Sequence, residues 1–366
     1  MRVSAASGLI PHPLLSLLGS LMVLCLVLAV GYGATALHAH RLVRQRADLL
    51  EEVGLLQRAL LPLVPDVVGG VRTSVAYRPS DGPAAGGDFY DALELGDGRA
   101  AFILGDVCGH GRQALARTAF VRFTLRAYLE AGLEPRAALQ VGGSVIDEHM
   151  GGDFATAVVA VHDPGDGSLT YACAGHPPPI VAGAARAEPI LAVSSPPLGL
   201  GLRTGVRQTT LALPPGSTVC LYTDGLAEAR TQRGILGRPR LGDIVAGMDS
   251  HAGAPALLER VVAEARLVTD DMAAMILCPV AAVTSGRFRT EQLELQADEL
   301  RGGVAGRFLA ACGLSAEAVG AAEAACRAVM PREGRAVVEV TYGVGGPSAQ
   351  VLSDPGSTRT SIFPVF

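Results

Sequence analysis

The stretch LGDVCGHG, Leu104 to Gly111, decides how the chain is read. It leaves the apolar run Ala100 to Leu104, which predicts a buried strand, turns at the lone acid Asp106, and opens through Gly109, His110 and Gly111. A helical pattern then starts with Ala114, Leu115 and Thr118. An acid at such a junction either points its carboxylate into a site or caps the next helix. The stretch alone leaves both open, and acids elsewhere in the chain decide between them.

Three further positions repeat the theme. Asp88 follows Gly86-Gly87 at a strand start, Asp224 in LYTDG follows an apolar strand and precedes Gly225, and Asp270, with Asp271 beside it, stands before the last apolar run, Met272 to Cys278. Each lies where a sheet edge meets a turn, where sites are commonly built. Carboxylates converging on one point repel unless cations neutralise them, and hard divalent ions such as Mg²⁺ or Mn²⁺ suit an all-oxygen set. The spacing does not by itself bring these acids together. Around them the pattern predicts strands (Val71 to Tyr77, Asp88 to Leu95), two helices (Arg112 to Ala131, Glu134 to His149), further strands (Phe154 to His162, Ser168 to Ala174, Pro179 to Ala182, Val206 to Leu211, Thr218 to Tyr222) and a helix over Ala254 to Ala265. That order predicts an α+β protein and not a regular βαβ alternation.

Six motifs in fixed order, GGDFYD (Gly86 to Asp91), LGDVCGHG, YACAGHPPP (Tyr171 to Pro179), PPLGL (Pro196 to Leu200), LYTDGLAEAR (Leu221 to Arg230) and TDDMAAMIL (Thr269 to Leu277), resemble the SpoIIE-like (RsbU-type) branch of the metal-dependent protein phosphatases, relatives of protein phosphatase 2C. The resemblance implies a four-layer α-β-β-α sandwich over residues 63–282 with two divalent cations, Mn²⁺ or Mg²⁺, at one end. Carried over by motif, Asp106 bridges both ions and the Val107 carbonyl adds a backbone ligand. Asp88 holds one ion, and Asp224 and Asp270 hold the other, with Asp271 the alternative to Asp270. Asp106 and Asp224 are the acids on which catalysis most depends. Two such ions lower the pKa of a shared water, whose hydroxide attacks phosphorus in line while the same ions stabilise the phosphoryl oxygens. By the same resemblance the substrate is a phosphorylated anti-sigma-factor antagonist of the STAS type. His110 is either the proton donor to the leaving oxygen or an organiser of the glycine turn, and His176 reads as a turn organiser. Thr231 to Leu241 departs from the acidic, aromatic form the family shows there.

Composition bounds the alternatives. The chain of 366 residues contains neither Lys nor Asn, which excludes a Walker A lysine and the kinase lysine and asparagine. A net charge of −5 without a basic run argues against nucleic-acid binding. Seven scattered cysteines, none in a C-x-x-C spacing, read as reduced thiols.

After a tail over 1–12, residues 13–36 are apolar enough to span a membrane, with cleavage after Ala36 as the rival reading. Arg41, Arg44 and Arg46 follow, so the positive-inside rule puts the bulk of the chain in the cytoplasm behind a single-pass anchor in the cell membrane. Residues 37–62 read as a linker helix, whose seam Leu42, Leu49, Val53, Leu56 and Leu60 is either a short dimerising coiled coil or a packing face. Residues 287–366 read as a small α/β domain, with helices over Leu293 to Ala311 and Ser315 to Met330 and strands at Arg335 to Tyr342 and Ser348 to Leu352. It faintly resembles a histidine-kinase-like ATPase stripped of its nucleotide site, since Arg327 stands where that fold needs Asn; an unrelated cap is the other reading. The functional rival is a membrane-tethered pseudophosphatase scaffold, which would have no need of the four acids.

Overall fold

The sequence alternates apolar residues at both periods, and the structure, a computed structural model, turns each period into its element. It describes residues 12–79, 87–109, 112–232, 234–249, 252–268, 270–280, 289–343 and 345–352. His110, Gly111 and Asp354 to Gly356 lie outside the described residues. The chain divides into two compact units, residues 1–55 and 56–366.

In the first unit the apolar run and the linker belong to one helix, α1 (His12–Leu60). Its stretch Gly19–Arg44 is long and apolar enough to cross a membrane, and none of it is buried. Of the seam, only the Leu42 side chain falls within the described residues, and it is exposed. The helix stops before Leu61-Pro62, as the residue ahead of a proline disfavours the helical region.

The second unit opens with β1 (Val67–Val68), β2 (Val71–Arg78), β3 (Asp88–Glu94) and β4 (Ala100–Val107), then α2 (Arg112–Glu130) and α3 (Pro135–Asp147). There follow β5 (Ala155–Asp163), β6 (Ser168–Ala174), β7 (Ile180–Gly183), β8 (Arg207–Ala212) and β9 (Ser217–Tyr222). A single turn, α4 (Asp224–Ala227), leads to β10 (Arg230–Thr231), β11 (Gly234–Ile235), α5 (Gly237–Ala246), α6 (Ala254–Glu264), β12 (Ala265–Leu267) and β13 (Met272–Pro279). The C-terminal part holds β14 (Arg289–Gln296), α7 (Ala297–Arg301), α8 (Val304–Ala311), α9 (Ala316–Glu333), β15 (Arg335–Gly343) and β16 (Gly346–Leu352).

Five strands form one sheet, β1-β2-β13-β9-β7, and eight form another, β16-β15-β14-β8-β6-β5-β4-β3, with a small third sheet β11-β10-β12. Every residue of β4 but Asp106 is buried, because both its faces are covered. Ala101 and Ile103 join Val121, Leu125 and Leu139 of α2 and α3. Ala100, Phe102 and Leu104 join Val219, Leu221, Met275 and Leu277 of the five-stranded sheet. On that sheet's other side Tyr222, Ala274 and Ile276 pack with Leu241, Leu257 and Val261 of α5 and α6. Each fully buried large side chain here contributes about 1.5–3 kcal/mol.

Two expectations need correction. The strand through Leu104 does not turn at Asp106; it runs on to Val107, and Asp106 is paired across the ladder with Asp88 on one side and Thr156 on the other. The helix expected from Leu293 begins only at Ala297. Residues 289–296 are instead strand β14, seated between β8 and β15. The Glu- and Gln-rich run has helix-favouring residues, but Leu293 and Leu295 alternate at the strand period and pairing on both edges overrides propensity. The β8–β14 ladder makes the C-terminal strands a continuation of the central sheet.

Candidate active site

The four acid positions come together where β3, β4, β9 and β13 end. Asp88 and Asp106 are direct partners across the β3–β4 ladder. Asp224 opens α4 just past β9, and Asp270 and Asp271 precede β13, which pairs with β9. Asp88 and Asp271 are buried, Asp106 half-buried, and Asp224 and Asp270 exposed.

Two glycines make the approach feasible. A Cβ on Gly87 would fall 2.0 Å from the Val107 carbonyl oxygen and 2.3 Å from Asp106 Oδ1, so only glycine leaves those two oxygens their shared space. The Gly87 carbonyl accepts from Val107 N–H at 3.0 Å, which holds the loop to the strand end. A Cβ on Gly225 would meet the Asp271 carbonyl oxygen at 1.9 Å.

The carboxylates lie within reach of one another's charge. Burial pushes Asp88 well above its ordinary range, with Asp106, Asp271 and Asp224 adding to the rise and a Thr223 hydrogen bond opposing it. Asp106 is pushed up to about 7 by burial and then by Asp224, Asp270 and Asp271. Asp224 is raised by burial, then by Asp270 and Glu228. Asp270 thus acts on Asp224 and Asp271 on Asp88, so the adjacent pair serves both sides of the site. Among the described residues no three acid, histidine or cysteine side chains are drawn onto one point. The donor set is oxygen only, with a carbonyl beside it, and fits hard divalent cations that retain waters.

Hydroxyls that the sequence reading passed over hold the acids in place. Thr223, fully buried, donates to Asp88 Oδ2 at 2.9 Å and accepts from Ala273 N–H at 2.9 Å, tying β9, β13 and β3 together. Tyr77 donates to Asp271 Oδ2 at 2.8 Å. Their signal was present only as a hydroxyl residue flanking an acid in LYTDG and an aromatic at the end of β2. His176 organises its turn as expected. Its Nε2 lies 3.0 Å from the Tyr222 carbonyl and must therefore carry the proton, so Nδ1 accepts from Thr156 Oγ1 at 2.9 Å. Burial lowers its pKa to about 4, which keeps it neutral. Cys108 Sγ accepts from Phe154 N–H at 3.1 Å, a packing role. Arg78 ends β2 as an exposed side chain.

A cleft of about 490 Å³ is lined by Asp224 and His176, by Pro177 and Pro178, by residues of the 189–197 loop and by Arg207.

The chain is similar to several known proteins. The chain is 26% identical over 224 residues to Protein IcfG of Synechocystis sp., covering 52% of this chain and 34% of that protein. It is 26% identical over 163 residues to phosphoserine phosphatase RsbU of Bacillus subtilis, covering 43% of this chain and 48% of that one. It therefore spans about a third to a half of the length of these relatives. Among solved structures, the SiaA-PP2C domain of Pseudomonas aeruginosa superposes with a TM-score of 0.52 at 22% identity, over 64% of this chain and 96% of that domain. The RsbU and RsbW domains of Rv1364c from Mycobacterium tuberculosis give 0.50 at 24%, over 78% and 86%. The fold is thus that of the protein phosphatase 2C-like α+β proteins. The model of stage II sporulation protein E (SpoIIE) matches residues 96–279, half of the chain and the segment carrying Asp106, Asp224 and Asp270, and the chain belongs to that family.

Proposed function

We propose that the chain is a membrane-anchored, metal-dependent phosphoserine/phosphothreonine protein phosphatase. The observation that supports this reading is the gathering of Asp88, Asp106 and Asp224 with Asp270 and Asp271 at one end of the paired strands, where burial and the neighbouring acids raise the pKa of the first three. Asp106 would contact both of two divalent cations, Mn²⁺ or Mg²⁺. The Val107 carbonyl and Asp88 would complete one side, and Asp224 with Asp270 the other. Such a pair supplies a water ionised near neutral pH and positive charge for the phosphoryl oxygens. The protein's own part is to hold the carboxylates: Thr223 fixes Asp88, Tyr77 fixes Asp271, and neutral His176 fixes the strand end that carries Asp224. We read the helix–sheet–sheet–helix packing as the family's four-layer sandwich.

By its likeness to RsbU, the substrate is a phosphorylated STAS-type anti-sigma-factor antagonist, with the catalytic unit on the cytoplasmic side and residues 42–60 as a dimer contact. Residues 287–366 serve as a contact module without nucleotide turnover.

The test is phosphate release by the full chain in detergent micelles from a phosphoserine peptide and p-nitrophenyl phosphate, with and without Mn²⁺, beside Asp106→Asn and Asp224→Asn. Mn²⁺-dependent turnover lost in both variants is expected. Neither turnover nor Mn²⁺ binding by calorimetry would transfer the assignment to the pseudophosphatase scaffold.

A further inference from the structure

We propose that the cleft beside Asp224 is the seat for the substrate polypeptide around its phosphoserine, that it selects uncharged, apolar flanking residues, and that the C-terminal strand β14 sets its wall through Arg207. The inference rests on the phosphatase reading above and adds a recognition rule to it.

The cleft adjoins the carboxylate site, since Asp224 belongs to both and His176 lines it too. Pro177, Pro178, Ile190, Leu191 and Val193 are among the residues that line it. Leu191 is 68% exposed, a large apolar side chain on the rim of a cleft that leads to a site. At about 490 Å³ the cleft has the size of a pocket that encloses several side chains.

Apart from Asp224, which belongs to the acid site, the cleft offers no unengaged charge among the described residues. His176 is held neutral with both ring nitrogens engaged. Arg207 is already committed: its guanidinium donates to Glu291 Oε2 at 2.7 Å and to the carbonyl oxygens of Ile190 and of Val193, the latter at 3.3 Å. A peptide that brings charge into such walls loses solvation without gaining a partner. An apolar one buries its side chains there, with the dianionic phosphate projecting towards the metal-binding acids.

The same arginine explains why the C-terminal strand matters to the cleft. Glu291 of β14 is fully buried and also accepts from Arg289 at 2.7 Å and from Thr209 Oγ1 at 2.7 Å. It therefore fixes Arg207, and Arg207 fixes the two carbonyls of the loop that carries Leu191. Ile190 itself packs among Leu293, Phe308 and Val338 of the C-terminal part. Arg207 is thus a positioning residue; it reaches the substrate only through the wall it holds.

The test uses the full chain in detergent micelles with Mn²⁺ and three phosphoserine peptides of equal length whose flanks are apolar, acidic or basic, beside p-nitrophenyl phosphate. The apolar-flanked peptide should lead in kcat/KM by about tenfold. Leu191→Asp should abolish that lead by raising KM, leaving p-nitrophenyl phosphate turnover and Mn²⁺ binding unchanged. Arg207→Gln should do the same in a protein whose melting temperature confirms folding. Equal kcat/KM for the three peptides, or an unchanged KM in Leu191→Asp, would overturn the proposal. So would a lowered KM on removing residues 353–366, since the cleft would then belong to the chain's own C-terminal segment. If no substrate is turned over at all, the phosphatase reading fails separately. Fluorescence anisotropy of the labelled peptides on the same proteins then decides the cleft by the same order of affinities.

Discussion

Asp88 and Asp91 lie on one strand, both buried, and meet opposite surroundings. Asp91 faces α2, where Arg122 and Arg126 donate to its two oxygens at 3.0 and 3.1 Å. Asp88 faces the five-stranded sheet, where Thr223 is its hydrogen-bond donor and the nearby charges are Asp106, Asp271 and Asp224. The contrast recurs across the eight-stranded sheet. At its C-terminal junction Glu291 has Arg207 and Arg289, and Glu294 has Arg136 and Arg203. The fold can place an arginine beside a buried acid, and among the described residues none forms an ion pair with Asp88, Asp106 or Asp224. Acids neutralised from within hold the structure together; acids left to one another need charge from outside.

The sharpest way to break this comparison is to remove one acid of each kind. Asp106→Asn should lower Mn²⁺-dependent phosphate release by a factor of about 10³ or more, about 4 kcal/mol of barrier. In EDTA at pH 8 the same variant should melt above the wild type, because a repelling carboxylate has gone. Glu291→Gln should do the reverse for stability. Removing the carboxylate that Arg207 and Arg289 share in a buried cluster should cost about 3 kcal/mol, read by denaturant unfolding. An Asp106→Asn protein that is less stable in EDTA would erase the distinction between the two kinds of acid.

How much of this was legible in the sequence follows the same division. The site acids were visible because each interrupts an apolar strand end next to glycine, a local pattern. The strands on which they stand were readable from periodicity to within a few residues, Ser168 to Ala174 among them. What the sequence hid was partnership at long range. Glu294 reads into the helix expected from Leu293 and Glu291 stands just ahead of it without a signal, because their arginines lie far off in sequence, Arg207 84 residues from Glu291 and Arg136 158 from Glu294. Thr223 was a spectator until β13 and β3 were brought beside it. The short strands β10 to β12 were missed because runs of two or three residues carry no period.

A smaller effect separates the clusters by pH. The folded pKa of Asp106 is about 7, against 3.8 for the free side chain. Its contribution to metal-free stability is therefore fully present below about pH 4 and is lost as pH rises through 7. Between pH 6 and pH 8 the loss for this single group is about 1.4 kcal/mol at most, before coupling to its neighbours. Unfolding in EDTA should show stability falling across that window, and added Mn²⁺ should raise the melting temperature more at pH 8 than at pH 6. Asp106→Asn should flatten the EDTA curve, whereas Glu291→Gln should shift it downward without changing its slope there.

The smallest expected effect tests whether the outward-facing acids are positioned or merely present. Thr223 donates one hydrogen bond to Asp88 and receives one from the Ala273 amide, all within a buried setting. Thr223→Val keeps the shape and removes both bonds, leaving a buried amide without that acceptor, at a cost of about 1 kcal/mol in unfolding free energy. Thr223→Ser keeps the hydroxyl and should lose less. For metal the order should be the same: Mn²⁺ affinity by calorimetry falls in the valine variant and holds in the serine variant. If Asp88 were simply another repelling charge, freeing it from Thr223 would let it relax, and valine would bind Mn²⁺ as well as the wild type does. A loss specific to valine means instead that the acids left without an internal cation are held for an external one.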